Sequence, residues 1–319
     1  MSKKKVIGFV AKYGSAILML GAFLYFSIRI PDIWLTSYML SSIVEQSVSL
    51  GLVALGLTIV SAHGEMDMSI GSVVSLGAML SMMCIASNRP IWTAVLLTVV
   101  CGAAIGVVNG FMRTKMRIPG MIPTIGMQSA IAGVALMVND GNMIYGSGEH
   151  LKAYTQMGRG YIGAISVPAL IFVAIALVVW FVMAKMKQGR LFYMIGGNAD
   201  ATALSGVKVN RQVLKGYVFC AVLGALAGVM ASARSGSGNP EAGVDLFLDG
   251  LIAVTLGSTL LTDEREYRAV GSIVGALFIT MMINGLQLIG QGNHMQCIMR
   301  GVLLLLGLVL SSLRSIAAE

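Results

Sequence analysis

Ten apolar runs of roughly 20 residues alternate with short polar intervals along the chain. They fall near 10–29, 43–62, 68–87, 91–112, 121–138, 164–184, 213–233, 247–262, 269–289 and 295–313. Runs of about 20 apolar residues cross the hydrocarbon of a bilayer as helices. The pattern therefore predicts an all-α polytopic membrane protein with about ten transmembrane helices, forming one domain over 1–319. The ten-residue alternation of a membrane barrel is absent. Two polar intervals are longer than the rest. The interval 139–163 contains NDGNMIYGSGEH, rich in turn residues and poor in helix signals, and reads as a structured external loop. The interval 185–212 reads as an inner loop with its own short helix. Gly196-Gly197 is expected to turn, Asn198 to cap, Asp200 to sit in the first turn where the helix dipole favours an acid, and Gly206 to close the helix in a left-handed position. A helix that short is marginal in water, so it is expected to rest against something.

Composition agrees with the periodicity. The chain of 319 residues is 56% hydrophobic and only 11% charged, with 39 glycines, and its mean hydropathy is +0.83. Soluble domains carry about 25% charged residues, while small residues let membrane helices approach closely. The formal net charge of +8 is explained by location rather than by nucleic acid. With the N-terminus inside, sixteen Lys and Arg fall on the cytoplasmic side and six outside, a positive-inside bias that favours both termini being cytoplasmic. The basic residues 1–5 precede an apolar run with no convincing cleavage site, which is expected to be the first span. Trp92 and Trp180 lie near span ends, as interfacial aromatics do, and Trp34 falls in the first outer loop. Cys84, Cys101, Cys220 and Cys297 are scattered singly and read as small buried residues.

Candidate chemistry concentrates in the segment 63–71, HGEMDMSIG, between the second and third spans. Glu65 and Asp67 stand beside deeply apolar sequence with no nearby basic partner. Such acids usually face a cavity or a partner, and the glycines allow a backbone break that is tolerated at membrane depth only under cover. Ser69 is placed to cap the third span. A break beside a translocation path and a hydrated inner loop are both compatible with these residues. His63 and Glu65 together fall short of a zinc ligand set. The segment 118–126, IPGMIPTIG, places Pro at a helix entry, with Thr124 as a candidate path residue. Glu45, Asp249 and Arg300 lie in or at spans, where snorkelling or a packed pair accounts for them, and His294 is expected to be exposed at an outer turn. Asn109-Gly110 and Asn284-Gly285 end the fourth and ninth spans, an echo of the kind left by an inverted five-helix repeat. No phosphate-binding loop, nucleophile–base pair or metal set is present in the sequence, so an enzyme is disfavoured.

These motifs together resemble the membrane permease subunit of ATP-binding-cassette sugar importers of the ribose/arabinose/xylose type, over about 45–312. The stretch 189–209, GRLFYMIGGNADATALSGVKV, is similar to the family's inner segment through Gly189, Arg190, Tyr193, Gly196, Gly197, Asn198, Ala201, Ser205 and Gly206. GEMDMSIG resembles the family's GGIDLSVG through Gly64, Asp67, Ser69 and Gly71, with Glu65 in place of a glycine. IPGMIPTIG is similar through Pro119, Thr124 and Gly126, and SARSGSGNPEAG through Arg234, Pro240 and Gly243. The segment 257–271, charged and poor in glycine, departs from the family pattern. The resemblance implies a permease dimer, identical or mixed, in a bacterial inner membrane. It also implies two cytoplasmic ATPase subunits carrying ATP and Mg, an extracytoplasmic sugar-binding protein, and no cofactor on this chain. Gly189, Arg190, Gly196, Gly197, Asn198, Ala201, Ser205 and Gly206 would then form an ATPase-coupling element, and Glu65, Asp67, Ser69 and Thr124 would border the path. Related permeases for nucleosides or branched-chain amino acids are the nearest alternative. An ion-coupled carrier working alone, with Glu45, Glu65 and Asp67 as relays, is a further one.

Overall fold

The computed structural model describes residues 3–260 and 269–318, with side chains described for 13–260 and 269–313. Arg265, Arg268 and much of the divergent stretch 257–271 lie outside the described residues, as do the side chains of Lys3, Lys4, Lys5, Lys12 and Arg314. Helices dominate: α1 Lys3–Arg29, α2 Pro31–Trp34, α3 Ser37–Ala62, α4 Ile70–Ala86, α5 Ile91–Thr114, α6 Met121–Met137, α7 Leu151–Arg159, α8 Val167–Ala184, α9 Lys187–Gly197, α10 Ala199–Leu204, α11 Val209–Ser235, α12 Leu246–Leu260, α13 Ala269–Leu288 and α14 Asn293–Ala318. Two short antiparallel ladders join β1 Ile144–Tyr145 to β4 Ser237–Gly238 and β2 Tyr161–Ile162 to β3 Ile165–Ser166. Each of the ten apolar runs overlaps a helix among the described residues. By length and composition six helices can cross a membrane, namely α3, α5, α8, α11, α13 and the Asn293–Leu313 part of α14. The shorter apolar helices are Tyr13–Arg29 within α1, together with α4, α6 and α12.

The bundle is built around α11. Its 27 residues rise about 40 Å at 1.5 Å per residue, and α3, α4, α5 and α7 pack on it. Close approach explains why so many glycines are used. Gly102, Gly106 and Gly110 form one stripe of α5 against α11, and a Cβ at Gly106 would lie 2.6 Å from the Val218 Cα. Any side chain there would force the two backbones apart. A main core of α3, α11, α12 and α13 side chains follows, with α1 and α14 flanking α12.

Four local expectations are corrected by the coordinates. Gly196-Gly197 is not a turn but the last two residues of α9; the chain turns one residue later, at Asn198. The interval 139–163, expected to be an external loop, contains the nine-residue helix α7. Tyr154 anchors it, with its ring fully buried and its hydroxyl on Ser232 Oγ at 2.6 Å and the Val229 carbonyl at 3.1 Å. Trp34, expected in the first outer loop, ends the short helix α2 and is fully buried against Phe26, with ring centroids 4.9 Å apart. Cys84 and Cys220 are buried as expected, but Cys101 is half-buried and Cys297 exposed.

Candidate functional site

The break between α3 and α4 sits at the same end of the bundle as α9 and α10. α3 ends at Ala62, Gly64 takes a left-handed φ of +80°, and α4 begins at Ile70. Glu65 has the basic partner that its sequence neighbours do not supply. Arg113 at the end of α5 meets its carboxylate at 2.5 Å, and the Tyr217 hydroxyl of α11 donates to the other oxygen at 3.3 Å. Asp67 is wholly buried. Its Oδ1 accepts from the Ser69 amide at 2.9 Å and the Ser69 hydroxyl at 2.6 Å, and Asn109 Nδ2 donates to the Ser69 oxygen at 2.9 Å. Asp67 Oδ2 and Asn109 Oδ1 have no partner. Burial pushes the Asp67 carboxyl above the usual carboxylate range, against the hydrogen bonds from Ser69 and Asn109. Ser69 occupies the N-cap position of α4, yet its hydroxyl serves Asp67 rather than the helix end.

His63 links this break to α9. It is 3% exposed, both ring nitrogens lack partners, and its ring lies 5.4 Å from that of Phe192 and 6.2 Å from that of Tyr217. Desolvation lowers its pKa to about 4, so the imidazole is neutral near pH 7. Gly196 closes the contact from the other side, since a Cβ there would strike the Ala62 carbonyl. At Gly189 a Cβ would strike the Met183 carbonyl at the end of α8. α9 is thus wedged between the feet of α3 and α8 with no room for side chains at these two positions. Beyond it, α10 follows the expected capping. Asn198 accepts from the Ala201 amide at 2.9 Å, Ser205 closes the helix with its hydroxyl on the Thr202 carbonyl at 2.7 Å, and Gly206 takes φ +84°. Arg190, Gly197, Asn198, Ala201, Ser205 and Gly206 are exposed.

Glu65, Asp67 and Ser69 therefore come together, but Thr124 does not join them. It is buried with its hydroxyl turned back to the Gly120 and Met121 carbonyls of its own helix. Gly120, one turn earlier, abuts Glu65 and Tyr217. A polar cavity of about 170 Å³ lies further along the bundle between α4, α6 and the segment leading into α12, lined by Ser72, Ser75, Gln128 and Ser129 among others. Sequence reasoning missed these four. The polar positions of α4 and α6 were the available signal, though serines in a membrane helix commonly bond their own backbone. Arg113, Asn109 and Tyr217 were also missed as partners of the acids, because they lie 40 or more residues away in the chain. The two Asn-Gly pairs play parallel roles. Asn109 bonds Ser69, and Asn284 exchanges bonds with Gln46 of α3 at 2.9 and 3.3 Å. Among the described residues, no group of three His, Cys, Asp or Glu is placed to hold a metal ion.

Glycine-packed apolar helices around a covered polar break make this a multi-pass membrane protein. Residues 39–308 match the family described as branched-chain amino acid transport system / permease component, and the chain belongs to that family. It is a transport permease, not an enzyme. It is 34% identical to the ribose import permease protein of Bacillus subtilis (strain 168) over 265 residues, 83% of this chain and 82% of that one. It is 27% identical to the D-allose transport system permease protein of Escherichia coli (strain K12) over 318 residues, 98% and 96% of the two chains. It is also 27% identical to the L-arabinose ABC transporter permease protein of Azospirillum brasilense over 305 residues, 96% and 88% of the two. No solved structure matches.

Proposed function

We propose that this chain is the membrane subunit of an ATP-driven, binding-protein-dependent sugar importer. Ten helices cross a bacterial inner membrane, both termini are cytoplasmic, and the chain works as one half of a permease dimer. α9 and α10 form the coupling element, gripped by a cytoplasmic ATPase that carries ATP and Mg. A sugar-binding protein delivers solute at the opposite end. The relatives' names supply the sugar class, and the positive-inside bias supplies the orientation.

The observation that carries the coupling assignment is the seat of Gly196 on the Ala62 carbonyl, beside His63. A displacement of α9 has no soft side chain to absorb it and passes straight to the break holding Glu65, Asp67 and Ser69. These residues control the inner end of the path, while Ser72, Ser75, Gln128 and Ser129 offer hydroxyl and amide partners to a polyol above it. Thr124 contributes by fixing the start of α6. The test is uptake of radiolabelled ribose, allose and arabinose by proteoliposomes containing the permease, its ATPase and its binding protein. ATP-dependent uptake is expected from the native chain, and its loss from Gly196→Asp with insertion intact. Native uptake by that variant would remove the coupling role.

The family description favours one other reading, transport of branched-chain amino acids. Leucine in place of sugar in the same assay separates the two: leucine uptake without sugar uptake would overturn the carbohydrate assignment.

A further inference from the structure

A cleft of about 280 Å³ opens between α8 and α11, with Phe192 of α9 also lining it. Its lining side chains are aliphatic or phenyl throughout, so it offers ordered water no hydrogen-bond partners. Val178 is 63% exposed and Phe219 41%, which opens the cleft to the flank of the bundle. α8 packs on α3, α7, α9 and α13, and the cleft separates it from α11.

Charge at one end of the cleft defines its occupant. On α8, Val178 and Val182 line the cleft; Lys185 follows as the C-cap residue of α8, its ammonium 5.9 Å from the Trp180 ring centroid. On α11, Phe219, Val222 and Leu226 line it, and Lys215 continues that stripe one turn earlier. Both lysines are exposed. Gln188, in the first turn of α9, lies between them: it follows Lys185 by three residues, and its Oε1 is 3.5 Å from the Lys215 ammonium. Neither lysine is in an ion pair among the described residues. Asp200 is the only acid between Glu149 and Glu241 in the sequence, and among the described residues no carboxylate meets either lysine. A basic pocket at the membrane boundary with an apolar slot above it matches a phospholipid headgroup and tail.

We infer that this cleft binds one anionic glycerophospholipid, its phosphate held between Lys185 and Lys215 and one acyl chain lying in the slot against Phe192. The site is distinct from the solute path and independent of which solute is carried. Because Phe192 also packs on His63, the chain end touches the same helix that meets the α3–α4 break.

Native mass spectrometry of the full permease, released from nanodiscs of equimolar dioleoyl phosphatidylglycerol and dioleoyl phosphatidylcholine, tests this. One tightly retained phosphatidylglycerol is expected, preferred over phosphatidylcholine by about tenfold or more given two uncompensated lysines at the surface. The preference should fall when salt is raised, because exposed charges are screened. The Lys185→Gln/Lys215→Gln pair removes exposed groups without a carboxylate partner. It should therefore fold normally and retain the two lipids equally. Val182→Phe, which fills the slot, should release both. Equal retention of the two lipids by the native chain, or an unchanged preference in the double lysine variant, would overturn the site. The lysine pair decides the matter even if the slot-filling variant is poorly folded.

Discussion

At the scale of single residues, the buried groups at the α3–α4 break behave oppositely to acid. His63 titrates near 4 in the fold against 6.5 for the ordinary side chain. As pH falls the unfolded chain takes its proton first. The stability tied to the neutral imidazole is thus whole above about pH 6.5 and lost as pH drops towards about 4, up to about 3 kcal/mol. The thermal midpoint of the detergent-solubilised permease should fall over that window, and His63→Gln should flatten the fall. Asp67 works the other way. Its raised pKa makes the neutral acid the form that suits the fold, so its contribution is present at low pH and lost as pH rises through the folded value. A neutral amide should then be tolerated: Asp67→Asn is expected within about 1 kcal/mol of the native chain, whereas Asp67→Ala, which leaves the Ser69 amide and hydroxyl without their acceptor, should cost about 1–3 kcal/mol. Equal midpoints for the Asn and Ala variants would show that the carboxyl oxygens hold nothing in place. Asp67 was legible as an acid needing cover; that the cover is Ser69 and Asn109 was not, since a contact across 40 residues leaves no local trace.

At the scale of elements, α10 is the most exposed to a single change. It has six residues, too few to persist alone, and one side-chain cap holds its first turn. Asn198→Ala should destabilise it by about 1 kcal/mol. Amide hydrogen exchange at Ala201 would then quicken by about fivefold with little change in α11. Unchanged exchange would mean that packing on α9 alone fixes the helix. This element was readable because its signals are local: an N-cap, an acid in the first turn and a closing glycine. The apolar runs were readable as helices for a related reason, since a helix that crosses hydrocarbon carries apolar side chains along its length, and six of these helices are long and apolar enough to do so. Gly196-Gly197 misled because glycine weakens a helix in isolation. Here the close seat of Gly196 on Ala62 outweighs that preference. α7 escaped because its buried face is only Tyr154, Thr155 and Gly158, fewer apolar positions than a periodic pattern needs.

At the scale of the whole molecule, an ion pair ties α14 to α12. Arg300 of α14 meets Asp249 of α12 at 2.7 Å and Asp245 at 3.1 Å, and the Arg300 and Asp249 side chains are both buried. The sequence expectation of a packed pair holds for these two. Arg300→Met would leave the Asp249 charge buried without its partner, at a cost of about 3–5 kcal/mol. Removing both charges with Asp249→Leu/Arg300→Met should recover most of the loss, and thermal unfolding in detergent reads the difference. A double variant no more stable than the single one would place the cost in packing instead. The central helix offers something different. α11 carries Gly216 against His63 near one end and Ser232 against Tyr154 near the other, so one helix runs from the α3–α4 break to α7. Spin labels at Arg211 and Arg234 should keep one separation through every stage of the transport cycle. That fixed span would serve as an internal ruler against which the travel of each other helix can be calibrated.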